Sequence, residues 1–312
     1  MSTQKQVIFL TGSRGMVGSN ILEFHKSSEY KWLSPTRAEL DLADYDQVHS
    51  FLKKNKPNLI IHAAGKVGGI EANIKNKIEF LVENIDLGRS VVMAAKNLKI
   101  PSFLNLASSC IYPRYAANPL VEEMILSGEL EPTNEGYALA KIFTMRLCQY
   151  ISENDSGLSY KTLIPCNLYG KHDKFDPVHS HLIPSVIKKI HNAKVGCESS
   201  VVIWGDGTAR REFMYVEDFV DLIYKCIENF EKVPKVMNVG LGYDYSVNQY
   251  YESIKKIIGW NGEFVHDLSR PVGMTQKLVD IEKLSKFGWK SSINLDQGIR
   301  ATYNFYLKAI ND

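Results

Sequence analysis

"QVIFLTGSRGMVGSNILEFH", residues 6–25, decides how the chain is read. Residues 6–10 form a continuous β-rich apolar run, which suits a strand buried on both faces of a parallel sheet. Helix-type spacing begins immediately after it, with glycines at 12, 15 and 18 marking the change. In such a turn Gly12 permits the tight bend, Gly15 lets the backbone approach a pyrophosphate, and Gly18 lets helix and strand pack closely. The helix that follows offers free N–H groups and a partial positive charge to an anion. The spacing is G-x-x-G-x-x-G, and its position directly after a first strand is what makes it informative.

Working outward, further short apolar runs lie at 31–35 ("KWLSP"), 58–65 ("NLIIHAAG"), 103–108 ("FLNLAS") and 160–165 ("YKTLIP"). Helical stretches separate them: "DYDQVHSFLKKN", "EFLVENIDLGRSVVMAAKNL" and "GYALAKIFTMRLCQYISEN". This alternation predicts an α/β fold, a doubly wound parallel sheet covered on both faces, with ligands beyond the carboxyl ends of its strands. After about residue 170 the elements become shorter and mixed. The expected division is 1–170 for the dinucleotide and 171–312 mainly for the substrate, a smaller mixed α/β part interleaved with the last strands of the sheet.

Composition narrows the class. The chain has 312 residues, 45% hydrophobic and 23% charged, with 37 basic and 35 acidic side chains. No basic face or run points to nucleic acid. No apolar run approaches the ~20 residues of a membrane span, and "KQVIFLTG" is too short for a signal peptide. Five cysteines without a C-x-x-C pair speak against a disulfide framework or a zinc site, so a cytoplasmic enzyme without a metal is expected.

The end of the second strand selects the dinucleotide. An acid there would bond the ribose of NAD. The segment instead reads "LSPTRAELDL", with Arg37 following the strand and Arg14 inside the glycine loop. Guanidinium groups suit a 2′-phosphate, so NADP is favoured over NAD. "NEGYALAKIF" sets Tyr137 and Lys141 four apart on one helix face. A phenol, with an ordinary pKa near ~10, needs a neighbouring cation to serve as an acid–base catalyst. Lys141 supplies one, and it can also hold the nicotinamide ribose. Ser108, in the polar strand end "ASSC", is the candidate hydroxyl beside the substrate oxygen.

This Ser-Tyr-Lys set resembles that of the extended short-chain dehydrogenase/reductases. The blocks "TGSRGMVGSNI", "AAGKVGGIEAN", "LASSCIYP", "LEPTNEGYALAKI", "NLYGKHDKF", "HSHLIP" and "WGDGTARREFMYVEDF" are similar, in order, to those of the GDP-L-fucose synthase family. "NVGLG" and "QKLVDIEKLSKFGW" extend the likeness almost to the C-terminus. The resemblance implies a Rossmann sheet, NADPH, a GDP-4-keto-sugar substrate, a homodimer, inversion at C3 and C5, and reduction of the C4 ketone. It implies that Cys110 is the base and His181, rather than His179, the acid, because inverting a centre next to a ketone needs one on each face. It implies a cofactor set of Gly12, Ser13, Arg14, Gly15, Met16, Val17, Gly18, Arg37, Asp41, Leu42, Ala63, Ala64, Tyr137, Lys141, Pro165, Asn167 and Leu168. Ser109, Asn167, His181, Lys189, Trp204, Arg211 and Lys277 are the implied substrate contacts.

The chain departs from the family at Cys166, Lys171, Val272, Met274 and Gln276, which suggests an altered lining of the sugar pocket. A C4-reductase acting on a GDP-4-keto-heptose from a separate epimerase is therefore an alternative. A non-catalytic NADP(H) sensor is a more remote one, since binding alone does not require Ser108, Tyr137 and Lys141.

Overall fold

The computed structural model describes residues 5–176, 180–270 and 273–311. In chain order the elements are β1 (Val7–Thr11), α1 (Met16–Glu23), β2 (Lys31–Leu33), α2 (Tyr45–Asn55), β3 (Leu59–His62), α3 (Ile70–Lys75), α4 (Lys77–Asn97) and β4 (Ser102–Leu106). They continue with α5 (Glu135–Asn154), β5 (Ser159–Pro165), β6 (Asn167–Tyr169), α6 (Leu182–Val195), β7 (Ser200–Trp204), β8 (Arg210–Arg211), β9 (Phe213–Tyr215) and α7 (Val216–Glu228). The last are β10 (Val236–Val239), β11 (Tyr245–Ser246), α8 (Val247–Ile258), β12 (Glu263–Asp267), β13 (Gln276–Lys277), α9 (Glu282–Lys286) and α10 (Leu295–Asn311).

Six parallel strands form the main sheet in the order β2-β1-β3-β4-β5-β10. Side chains alternate across it. Phe9, Ile60 and Phe103 join Val48, Leu52, Val91 and Cys148 beneath α2, α4 and α5. Ile8, Leu10, Leu59, Ile61 and Leu104 join Ile21, Phe219 and Ile223 beneath α1 and α7. All five apolar runs of the sequence contain a strand, although the second stops at Leu33 and the third at His62. Pro35 has no N–H to continue the ladder in the second. The chain runs from β1 through α1 to β2 on one side, and from β2 through α2 back to β3 on the other side of β1, which opens a crevice at the strand ends.

Local signals set the helix ends. Asp44 caps α2 by accepting from the N–H groups of Asp46 and Gln47 at 2.9 and 3.1 Å. Ser246 and Gln249 form a reciprocal capping box on α8.

Beyond β5 the chain builds smaller sheets, β11-β8-β13, β12-β7 and β6-β9, around α6, α8 and α10. This region has its own core of Ile183, Ile187, Tyr250, Ile254, Ile299 and Tyr306. β10 returns to the main sheet beside β5.

Candidate active site

The turn after β1 matches the sequence reading closely. Gly12 has φ +71°, and a Cβ there would lie 2.7 Å from the Ala64 nitrogen. A Cβ on Gly18 would lie 2.2 Å from the Gly12 carbonyl oxygen, so α1 packs directly on the turn. The Gly15 N–H donates back to that carbonyl at 3.0 Å. The β3 end is held against the turn by Thr11, whose hydroxyl accepts from the Ala64 N–H at 3.2 Å and meets His62 Nδ1 at 3.0 Å.

A cavity of about 780 Å³ opens over these strand ends. Gly12, Ser13, Arg14, Gly15, Met16, Val17, Gly18, Arg37, Asp41, Leu42, Ala63, Ala64, Pro165, Asn167 and Leu168 all line it, as do Tyr137 and Lys141. Neither Arg14 nor Arg37 forms an ion pair among the described residues.

A second cavity of about 510 Å³ adjoins it, lined by Cys110, His181, Lys189, Trp204, Arg211 and Lys277. Gly68, Asn73, Ser108, Tyr137, Asn167 and His181 line both and form the junction. Ser109 lines neither; it is 2% exposed, because the 3-10 turn Ser109–Ile111 directs it into the protein. His179 lies outside the described residues. Of the departures from the family pattern, Met274 lines the second cavity, whereas Cys166 lines the first. Lys171 instead pairs with Glu217, and Gln276 donates to Asp244 at 2.7 Å, so neither lines the second cavity. Val272 is outside the described residues.

Helix α5 carries Tyr137 and Lys141 one turn apart. The Lys141 ammonium donates to the Leu106 carbonyl at 3.0 Å and stands 5.6 Å from the centre of the Tyr137 ring. Burial without a carboxylate partner lowers the Lys141 pKa from 10.5 to about 8, partly opposed by Cys110. Enclosure pushes the Tyr137 phenol upward, and Cys110 adds to the shift.

Cys110 sits in the 3-10 turn Ser109–Ile111 that follows β4, its N–H donating to Ser108 Oγ at 3.4 Å. Burial raises its thiol, opposed first by Lys277, then by the Ser108 hydroxyl and Lys141. Burial lowers the His181 pKa, and Lys277 and Lys174 lower it further. Lys189 and Arg270 face Trp204, with 5.5 and 5.0 Å from cation to ring centre. Sequence reasoning did not single out Gly65, Asn73 or Glu131 at these walls, or Arg270 over the Trp204 ring. The first three lie in quoted blocks, "AAGKVGGIEAN" and "LEPTNEGYALAKI", and the signal was their nearness to the glycine turn and to Tyr137.

Among the described residues no group of three or more His, Cys, Asp or Glu is arranged to hold a metal, and no helix is long and apolar enough to cross a membrane.

The model of the NAD dependent epimerase/dehydratase family matches residues 8–240. The chain is 54% identical to GDP-L-colitose synthase of Yersinia pseudotuberculosis, over 98% of this chain and 99% of that protein. It is 47% identical to GDP-L-fucose synthase of Azorhizobium caulinodans over 96% of each. Among solved structures, a GDP-6-OMe-4-keto-L-xylo-heptose reductase from C. jejuni superimposes with a TM-score of 0.92 at 29% identity, over 98% of this chain and 99% of that one. The chain belongs to the NAD dependent epimerase/dehydratase family, in its GDP-L-fucose synthase branch.

Proposed function

We propose that the protein is an NADPH-dependent epimerase–reductase that inverts C3 and C5 of a GDP-4-keto-6-deoxy-hexose and reduces its C4 ketone. The observation that carries this reading is the junction of two cavities on Ser108, Tyr137, Asn167 and His181, with Lys141 on one side and Cys110 on the other. The first cavity fits a dinucleotide, because the close contacts at Gly12 and Gly18 leave the turn's backbone bare at the start of α1. Gly12 to Gly18 would take the pyrophosphate and Arg14 and Arg37 the 2′-phosphate, with Asp41, Leu42, Ala63, Ala64, Pro165 and Leu168 as walls. The bound cofactor supplies the hydride for C4.

The chain's own residues do the rest. Ser108 and Tyr137 hold the C4 oxygen, which lets the adjacent C–H bonds ionise as an enolate. The Cys110 thiolate removes the proton from one face and His181 returns one from the other. Tyr137 finally protonates the C4 oxygen, with Lys141 favouring the phenolate left behind. Arg211 and Lys189 face the diphosphate, and Trp204 forms an apolar wall. On this reading residues 1–170 mainly hold the cofactor and 171–312 mainly the GDP-sugar, in the cytoplasm.

One experiment tests it: NADPH and GDP-4-keto-6-deoxy-mannose in deuterated water, with NADPH absorbance and product NMR followed together. Deuterium at C3 and C5 with matching NADPH oxidation is expected, and Cys110→Ser should remove the deuterium. Oxidation without deuterium in the unmodified enzyme would leave a reductase only, as in the heptose alternative. No oxidation would refute the hexose assignment.

A second reading is favoured by the relative at 54% identity, named for colitose, a sugar without a C3 hydroxyl. The same site would then invert C5 alone on a 3,6-dideoxy-4-keto sugar, and competition between the two substrates decides it. A homodimer is also proposed. Ile78 and Val82 on α4 (73% and 48% exposed) and Leu139, Phe143 and Tyr150 on α5 leave an apolar face uncovered. Light scattering at micromolar concentration tests it, and a monomer would refute it.

A further inference from the structure

We infer that Lys277 is a positioning residue for the base Cys110: its ammonium holds the thiolate within reach of the sugar carbons. This rests on the epimerase reading above and adds a residue to it.

The backbone ties Lys277 to the Cys110 region from two sides. β13 pairs with β8, setting Lys277 opposite Arg211. The residues after it are stitched to the segment that leads away from Cys110. The Leu120 N–H donates to the Leu278 carbonyl at 2.8 Å, the Leu278 N–H to Asn118 Oδ1 at 2.8 Å, and the Asp280 N–H to the Leu120 carbonyl at 2.9 Å. Glu212 Oε2, on the buried side, accepts from the Val279 N–H at 3.1 Å. Residues 277–280 therefore cannot slide relative to the strand end that carries Cys110.

The cations in and around the second cavity are not equivalent. The Arg211 guanidinium donates to the Arg210 carbonyl at 2.7 Å. Lys189 and Arg270 stand over Trp204. Lys141 belongs to the Leu106 carbonyl and the Tyr137 ring. Lys277 lines the same cavity as Cys110 and, among the described residues, has no hydrogen-bond acceptor or carboxylate partner. The charged and titratable groups facing it are Cys110, Arg211, Glu131, Cys166 and His181; those facing Cys110 are Lys277, Lys141 and Tyr137, with the Ser108 hydroxyl.

A buried thiol stays protonated and cannot act as a base, and an ammonium beside it favours the thiolate. In the step served, the thiolate takes the proton from the sugar carbon, the C–H electron pair moves to the C4 oxygen, and Lys277 keeps its protons throughout. A residue that only gripped the diphosphate would alter substrate affinity and leave the thiol unchanged.

The test is iodoacetamide alkylation of Cys110 against pH in the NADPH-saturated enzyme, resolved by peptide mass spectrometry. Lys277→Met and Lys277→Arg are compared in a Cys197→Ser background, since Cys197 is the exposed cysteine. Lys277→Met should slow alkylation at pH 7 about tenfold and move the profile to higher pH, whereas Lys277→Arg keeps the wild-type profile. Sugar deuteration should fall relative to C4 reduction. An unchanged Cys110 profile in Lys277→Met, with or without a raised KM, overturns the proposal. If Lys277→Met does not accumulate, Lys277→Gln gives the same reading. Absence of deuteration in the unmodified enzyme, with the alkylation shift still present, places the fault in the proposed function and leaves the hold on Cys110 standing.

Discussion

Replacing Lys141 with Met should make the cofactor-free protein more stable while abolishing its activity. The ammonium is 8% exposed and has one carbonyl partner, and its pKa falls from 10.5 to about 8. At ~1.4 kcal/mol per unit, keeping this charge in the folded protein costs about 3 kcal/mol. Losing the hydrogen bond to Leu106 returns ~1 kcal/mol, so the net gain is about 2 kcal/mol at pH 7. The sign follows from proton counts. Between pH 8 and 10.5 the unfolded chain binds the proton and the folded protein does not, so wild-type stability rises with pH through that window. Below about pH 8 both states hold the proton and the full cost is felt. Urea denaturation of both proteins, free of cofactor, at pH 7 and near pH 10 measures the difference. It should be large at pH 7 and shrink as pH rises. A Met variant less stable than wild type at pH 7, or a difference independent of pH, would refute the reasoning.

Tyr137→Phe keeps the ring and removes the proton donor, so kcat for C4 reduction should fall by ~10²-fold or more with NADPH affinity unchanged in a fluorescence titration. Gly18→Ala puts a methyl group 2.2 Å from the Gly12 oxygen and 2.7 Å from Ser13 Cα, both backbone atoms that cannot swing aside. It should lower Tm and weaken NADPH binding by ~10-fold or more, read by the same titration and a thermal melt. Glu212 is buried, and its pKa is raised by burial from 4.5 to about 7 against three backbone N–H donors. The folded protein therefore holds a proton that the unfolded chain releases between pH 4.5 and 7, and stability falls with rising pH there. Glu212→Gln should remove that slope in denaturation curves at pH 5 and 7.

What could be read in advance was what local spacing encodes. The run 6–10 followed by glycines at 12, 15 and 18 specifies a strand, a turn and a helix in contact, and contact is what Gly12 and Gly18 are found to make. Tyr137 and Lys141 share a face because a helix turn is about 3.6 residues long, close to their spacing of four. The two-residue strands β8, β11 and β13 have no periodicity to detect, yet their pairing brings Arg211 and Lys277 side by side. Family blocks named Lys277 as a substrate contact, but nothing local shows that the chain from 118 to 120 carries it beside Cys110. Ser109 and Ser108 are adjacent in sequence and differ in fate because the 3-10 turn buries one and caps itself with the other.

The charges at the site share a cause. Among the described residues Lys141 and Lys277 are enclosed without a carboxylate ion pair and the exposed Arg14 and Arg37 form none, while Lys189 and Arg270 face an aromatic ring and Arg270 also pairs with Asp267 at 3.3 Å. Glu131 acts on both Lys277 and Arg211, and Asp244 acts on Arg211 as well. A protein optimised for folding alone would pair or expose Lys141 and Lys277, since a buried charge without a partner is costly. Both proposed ligands are anionic, a dinucleotide phosphate and a nucleoside-diphosphate sugar, and each brings its negative charge to one of the two cavities. Their binding would supply the missing counter-charges and stabilise the fold by mass action. The positive field would also act on the chemistry before the ligand arrives. Lys277 lowers both the Cys110 thiol and the His181 imidazole, helping the proposed base and hindering the proposed acid at once. Diphosphate charge near Arg211 and Lys277 would offset the second effect by drawing His181 back toward its protonated form. The same unpaired cations that weaken the empty protein thus make acid–base readiness depend on a bound GDP-sugar.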